Sequence, residues 1–368
     1  SFATDASDSV GGANGTLVAP SGGAAASIAN GLVLPGNTVG GNGYSGYVSL
    51  PAGILTNTTS LTVECWMAQN QGNTWAEAWD FGVNNNVNFA LIPTPPGNNN
   101  GGNMEVADNP ANNDIYTASG VSFPNGSTPM QYVAFIFNDS SLTGNLYTNG
   151  MLVATQSYPD HDYTPGNIGG AGGTTQNYLG NDVYGDWQFD GAIYEFRIWN
   201  GVVPPVYLAA STVAGPGVVI TNTTPQSLNV SVVTTMLTSQ IQQASVVGNF
   251  LQVSGVPVTD AVTNWASSNP GVLTVDGHGV ITAIGPGNAK ISATVAGVTG
   301  TSATITVGKP TIAISRSGSG IVLSWPAGTI LLQAPTVHGP WTTNNTAVSP
   351  YPVSTTSGSQ FFRLQVSP

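Results

Sequence analysis

At 368 residues, with 6% charged and 8% aromatic side chains, the chain is long enough for about two or three domains and too rich in aromatic and β-branched residues to stay disordered. Its apolar runs are short and interrupted, which excludes a membrane-spanning helix. Residues 1–200 hold 15 acids and one base, Arg197, a net of −14 that repels phosphate backbones and excludes nucleic acid as a partner.

Residues 201–368 are different: two acids and four bases, a net of +2. Gly, Ser, Thr and Asn supply most of the polarity, which suits an exported all-β protein with many tight turns. Ser1-Phe2-Ala3 reads as a mature start after signal-peptide removal. The chain is therefore expected to be secreted, extracellular or at the cell surface. Cys65 is the single cysteine, so no intrachain disulfide can form. It lies in LTVECW, a strand context that predicts a buried, inert thiol.

In chain order, residues 2–17 read as a strand and loop with a turn at Asn14-Gly15. Residues 47–51 (YVSLP), 61–67 (LTVECWM) and 79–82 (WDFG) are strands, and 97–103 a Gly/Asn loop. Residues 131–137 (QYVAFIF) form a strand buried on both faces. Residues 145–154 form a hairpin, with Asn149-Gly150 at the two φ > 0 positions of a type I′ turn. Asp190-Gly191 is a turn signal, and residues 191–200 (GAIYEFRIWN) alternate as a strand. The alternation puts Ile193, Glu195, Arg197 and Trp199 on the more polar side and Ala192, Tyr194, Phe196 and Ile198 on the apolar side. Trp66 and Trp199, being in strands, are expected in the core. Pro204, Pro205 and Pro216 limit residues 202–217 to one helical turn near Leu208, and this stretch reads as the domain exit.

The opening residues, the YVSLP and LTVECWM strands, WDFG and the closing YLG…FDGAIYEFRIWNG together resemble the laminin-G-like, concanavalin-A-like jelly roll of many exported bacterial proteins. Residues 262–294, with W-x-SSNP, GVITA and GPGNAKISA, resemble the bacterial immunoglobulin-like domain of group 2. The LSWP…LLQ…GPWT…FFRL pattern of the last 61 residues is similar to a small C-terminal β module of exported bacterial proteins. The resemblances imply an all-β chain of three sandwich units: a jelly roll at 1–215, an immunoglobulin-like domain at 218–307 and a small β module at 308–368.

Residues that could carry chemistry are few. His161, His278 and His338 fall in three different units, which excludes a joint site. Asp160-His161-Asp162 reads either as a metal ligand pair or as a solvated loop. Retaining glycoside hydrolases place two carboxyls about 5–5.5 Å apart. No Glu-x-Asp-x-Glu triplet is present, Glu64 stands alone, and Glu195 has Arg197 beside it. No catalytic residue is assigned, and the chain is expected not to be an enzyme. The jelly-roll resemblance implies a structural calcium ion at the rim, with Asp5, Asp8, Asp190 and Glu195 as ligands. A solvated acidic rim is the alternative, and Tyr194 stands where relatives often carry an acid. Tyr163, Tyr178, Tyr184 and Trp187 lie in turn-rich segments and are candidate stacking platforms for sugar; packing within the loops is their other reading. Seven Asn-x-Ser/Thr sequons follow largely from the Asn- and Thr-rich composition.

Two functions of different class remain. One is a self-assembling structural subunit of a fibre or coat, whose partners are copies of itself packed head to tail. The charge asymmetry favours that contact, with the terminal strands at Phe2 and residues 361–366 as pairing edges. The other is an adhesin or lectin that binds polysaccharide through the jelly roll. A glycoside hydrolase accessory module is a remote third.

Overall fold

The computed structural model describes residues 2, 4–37, 44–84, 87–94, 103–107, 114–118, 123, 125–126, 130–318, 320–354 and 358–366. The chain divides into two compact units, Ser1–Thr221 and Asn222–Pro368. The predicted loop at 97–103 lies outside the described residues except Asn103, which opens a strand.

The first unit holds fourteen strands among its described residues. In chain order they are β1 (Thr16–Val18), β2 (Ser27–Ile28), β3 (Leu32–Pro35), β4 (Tyr47–Leu50), β5 (Leu61–Gln71), β6 (Trp79–Asn84) and β7 (Val87–Ile92). They continue with β8 (Asn103–Ala107), β9 (Asp114–Ala118), β10 (Gln131–Asn138), β11 (Thr143–Thr148), β12 (Met151–Ser157), β13 (Gln176–Leu179) and β14 (Asp190–Asn200). They form two seven-stranded sheets, ordered β1-β4-β13-β6-β7-β8-β9 and β12-β11-β10-β5-β14-β3-β2. Every pairing in both sheets is antiparallel, and the unit is a jelly-roll sandwich.

Alternation along each strand sends one side chain in two to the core. Trp79, Phe81, Phe89, Leu91, Met104 and Val106 come inward from the first sheet. Leu61, Val63, Cys65, Met67, Val133, Phe135 and Phe137 meet them from the second. Burial pushes the Cys65 thiol far above its ordinary range, and the adjacent Glu64 carboxylate adds to this. The β11–β12 turn has φ 49° at Asn149 and 79° at Gly150, as its dipeptide predicts.

Four features differ from the sequence expectation. First, β14 is bulged. Ile193 pairs with Met67 while Glu195 pairs with Trp66, leaving Tyr194 as the extra residue. The bulge moves Ile193 to the core face with Phe196 and Ile198, and leaves Glu195, Arg197 and Trp199 on the outer face. Trp66 is buried but also lies on that outer face, under the Arg197 guanidinium at 4.6 Å. Second, Asp190 and Gly191 already belong to β14. Gly191 is required by packing, since a Cβ there would run into the Ala68 carbonyl and the Phe189 ring.

Third, residues 202–217 contain a ten-residue helix, α1 (Pro205–Ala214). Pro205 occupies the first turn, where its missing N–H and fixed φ cost nothing, and Pro216 falls beyond the Gly215 cap. The helix covers the outer face of β5 and β14. There the fully buried Glu64 accepts from Tyr132 Oη (2.6 Å), Trp199 Nε1 (2.9 Å), Tyr207 Oη (2.9 Å) and Arg197 Nη1 (3.2 Å). Fourth, Phe2 is not an exposed edge. It is buried in the core, and its N–H donates to the Tyr194 carbonyl.

In the second unit, strands between 227 and 308 pair among themselves in four three-stranded sheets, and strands between 313 and 366 in two more. Thr235–Leu237 runs parallel to Ile305–Gly308. Met236, Val272, Leu273, Ile281, Ile291 and Ile305 form a core with Trp265 packed at its side.

Candidate functional site

The segment from 180 to 189 links β13 to β14 and builds a cleft at the rim of the jelly roll. Asp182 sets its shape. The Oδ1 atom of Asp182 accepts the backbone N–H groups of Tyr184 (2.6 Å), Gly185 and Asp186 (3.2 Å), winding the chain around one carboxylate. Gly185, at φ 93°, makes the reversal. Asp80 Oδ2 accepts the Val183 N–H at 2.9 Å and ties the loop to β6. Gln188 then clamps the other end. Its N–H donates to Asn37 Oδ1 (2.8 Å), its Oε1 accepts the Ser45 N–H (2.6 Å), and its Nε2 donates to the Ser45 carbonyl (3.0 Å).

Between these anchors Trp187 is left 37% exposed, at the edge of a cleft of about 480 Å³. That volume lies within the range of small-molecule sites. Tyr44, Trp187, Asn37, Gln71, Asn73 and Asp190 line it. The Tyr44 ring lies against Gly22, where a Cβ would come within 2.8 Å of it. Gly36, at φ 61°, lies directly against Asp190, where a Cβ would run into its side chain, and Asp190 Oδ1 accepts from Asn70 Nδ2 at 3.0 Å. Asn37 is 7% exposed, and its Nδ2 has no hydrogen-bond partner. A buried donor left unmade costs about 1–3 kcal/mol. Together the lining offers two aromatic faces, amide donors and a carboxylate acceptor. Among the described lining residues it holds one carboxylate, that of Asp190.

Behind the loop, on the outer face of the first sheet, four acids are buried: Glu77 and Glu105 at 2% exposure, Asp80 and Asp182 at 0%. Glu77 and Asn88 hydrogen-bond the Asp80 carboxyl, while Asp182 Oδ2 has no partner. Burial pushes the Asp80 carboxyl up to about 7, against hydrogen bonds from Glu77 and the Val183 N–H that lower it. Burial raises Glu77 well above the usual range, and the Asp80 and Asp182 carboxylates raise it further. Asp182 is also raised, by burial first, with the loop amides opposing. Buried charges without counterions are neutralised, so this cluster holds protons.

The candidate platforms separate cleanly. Tyr163 is 6% exposed and packs on Tyr158 in the core, with ring centroids 5.9 Å apart, so it offers no face to a ligand. Tyr178 stands on the outer face of the first sheet, edge-on to Tyr47 at 5.2 Å. Tyr184 donates from its hydroxyl to Glu105 Oε1 at 3.3 Å. Trp187 is the one of the four that lines the cleft.

The proposed calcium ligands are not assembled. Asp8 is filled by the N–H groups of Val10, Gly11 and Ala13, and Asp5 by that of Ser7. Glu195 is held by Arg197 Nε at 2.6 Å and by the Gly217 N–H, while Asp190 faces the cleft. Among the described residues no group of three His, Cys, Asp or Glu is placed to hold a metal ion. His161 is paired with Asp139 at 2.7 Å.

Residues 42–205 match the family model of the concanavalin A-like lectin/glucanases superfamily, and the first unit carries that jelly roll. A search of curated proteins finds no relative that matches. Domain 4 of AbnA, an extracellular arabinanase of Geobacillus stearothermophilus solved with arabinotriose, is similar at 20% identity and TM-score 0.45, over 56% of this chain and 92% of that one. The CBM40 of the Ruminococcus gnavus IT-sialidase bound to α2,6 sialyllactose is similar at 18% identity and TM-score 0.36, over 47% and 92%. A heptameric pentraxin of Limulus polyphemus is similar at 13% identity and TM-score 0.34, over 50% and 81%.

Proposed function

We propose that the first unit is a carbohydrate-binding module and that its cleft, between Trp187 and Asn37, is the sugar site. The observation that carries this reading is the unpartnered Asn37 amide, held by Gln188 in a cleft edged by a half-exposed indole. Sugars present C–H faces that stack on aromatic rings and hydroxyls that need both donors and acceptors. Trp187 supplies the first, Asn37 and Asp190 the second. The match to a lectin and glucanase superfamily supports the class, and the single carboxylate among the described lining residues supports binding without cleavage. The test is a glycan array probed with the whole protein beside its Trp187→Ala and Asn37→Ala variants. Binding that both variants lose, with Trp187→Ala melting as the parent does, is the expected result; Asn37→Ala also gives up the Gln188 clamp and should be about 1–3 kcal/mol less stable. Binding that survives both variants moves the sugar site elsewhere.

A further inference from the structure

We infer that the ligand of this cleft is an uncharged glycan, and that the domain discriminates against sialylated, uronic and sulfated sugars; this rests on the carbohydrate reading above. Recognition of a carboxylate or sulfate by side chains is strongest with Arg or Lys donors, whose charge-assisted hydrogen bonds are roughly twice as strong as neutral ones. Residues 1–221 contain one Arg, no Lys and one His. Their scarcity is a fact of the sequence, so it holds for every segment of the first unit.

The single Arg is already used. Arg197 has a side chain 9% exposed, donates from Nε to Glu195 Oε1 and from Nη1 to Glu64 Oε1, and donates from Nη2 to the Val218 carbonyl at 3.1 Å. Its guanidinium plane also lies over Trp66. Freeing it would strand two buried carboxylates. It sits on the outer face of the second sheet and is not part of the cleft lining. His161 is engaged with Asp139 and does not line the cleft either.

What the cleft does contain is acidic. Asp190 lines it and supplies a carboxylate. A carboxylate in a partly desolvated cleft attracts hydroxyl donors and repels a second anion, by at least a factor of ten at contact distance. Asp190 is thus suited to accept from neighbouring ring hydroxyls while Asn37 Nδ2 donates to one of them. The ionised acids among residues 1–200, outnumbering one Arg, add a longer-range repulsion of acidic polysaccharide.

The experiment titrates the whole protein with neutral hexose and pentose oligosaccharides, and with matched oligosaccharides carrying a sialic acid, a uronic acid or a sulfate. Titrations run at low and at physiological salt, and are repeated for Trp187→Ala and Asp190→Asn. The expected result is neutral binding at least tenfold tighter than acidic binding, lost in Trp187→Ala. Salt should narrow the gap by screening, and Asp190→Asn should narrow it further. Acidic sugars bound as tightly as neutral ones, and lost in Trp187→Ala, would overturn the inference and leave the cleft as the sugar site. No binding of either set would overturn the carbohydrate reading itself, and the inference with it.

Discussion

The buried acids behind the loop predict an unusual pH profile for the first unit. Asp80 is wholly buried, and its carboxyl is raised from 3.8 to about 7; Glu77, Asp182 and Asp186 are raised in the same direction, chiefly by burial. A carboxyl raised on folding holds its proton in the native state where the unfolded chain has released it. Its contribution to stability is therefore complete below about pH 4 and is lost as pH climbs through about 7. Each tenfold change in proton affinity is worth about 1.36 kcal/mol, so Asp80 accounts for on the order of 4 kcal/mol between these limits. The part that falls between pH 5 and pH 8 is about 2.7 kcal/mol, which in a domain of this size is a fall of roughly 5–10 °C in melting temperature. The exposed Asp5 and Asp8 are lowered by local amides and act only below this window.

Asp80→Asn isolates the effect. The side-chain oxygen of the new amide still accepts the Val183 N–H, so the loop keeps its tie, while the group that must ionise is gone. The variant should be more stable than the parent at pH 8 and show a flatter profile from pH 5 to pH 8. Calorimetry in the presence of a chelator keeps divalent ions from standing in for protons. The second unit is the internal control, since residues 222–368 hold only Asp260 and Asp276 as acids. A first-unit transition that rises or stays level from pH 5 to pH 8, or an Asp80→Asn protein less stable than the parent at pH 8, would refute the reasoning.

Three further outcomes test the rest of the fold. Arg197→Met removes the partner of two buried carboxylates and should cost about 3–5 kcal/mol; a loss below about 1 kcal/mol in denaturant titration would mean that Glu64 is satisfied by Tyr132, Trp199 and Tyr207 alone. Gly150→Val puts a β-branched residue at φ 79° with its Cβ 3.2 Å from Ala209 of α1, so a loss of about 1–3 kcal/mol confined to the first unit is expected. An unchanged melting temperature contradicts that turn. Trypsin should leave the native protein uncut at Arg197, a buried strand residue, and release an intact 1–197 fragment after denaturation, read by mass spectrometry.

What could be read from the sequence was local, and what could not was decided by partners. Asn149-Gly150 demands its turn whatever surrounds it, and the alternation of residues 61–67 and 131–137 marks strands without knowing their neighbours. The faces of β14 could not be read in the same way. A bulge at Tyr194 inverts the parity, and it exists because β5 and β14 are held in one register by Met67–Ile193 and in another by Trp66–Glu195. The helix α1 was hidden by three prolines that count against a helix interior but not against its ends. The cleft has no sequence signature at all, because Asn37, Tyr44, Asn73 and Asp190 come from four separate segments. Tyr163 and Trp187 sit in equally turn-rich stretches, and only the core contact with Tyr158 separates a buried ring from a platform. The acids did leave a trace. Glu77 and Asp80 alternate with Ala76, Ala78, Trp79 and Phe81, and carboxylates among residues of that kind are seldom solvated. Neither their shared burial nor their grip on the loop that carries Trp187 was legible before Asp182, a hundred residues away, was seen beside them. That grip makes the same acids both a source of instability at neutral pH and the anchor of the cleft, which is why Asp80→Asn, keeping the anchor and removing the charge, distinguishes the two roles.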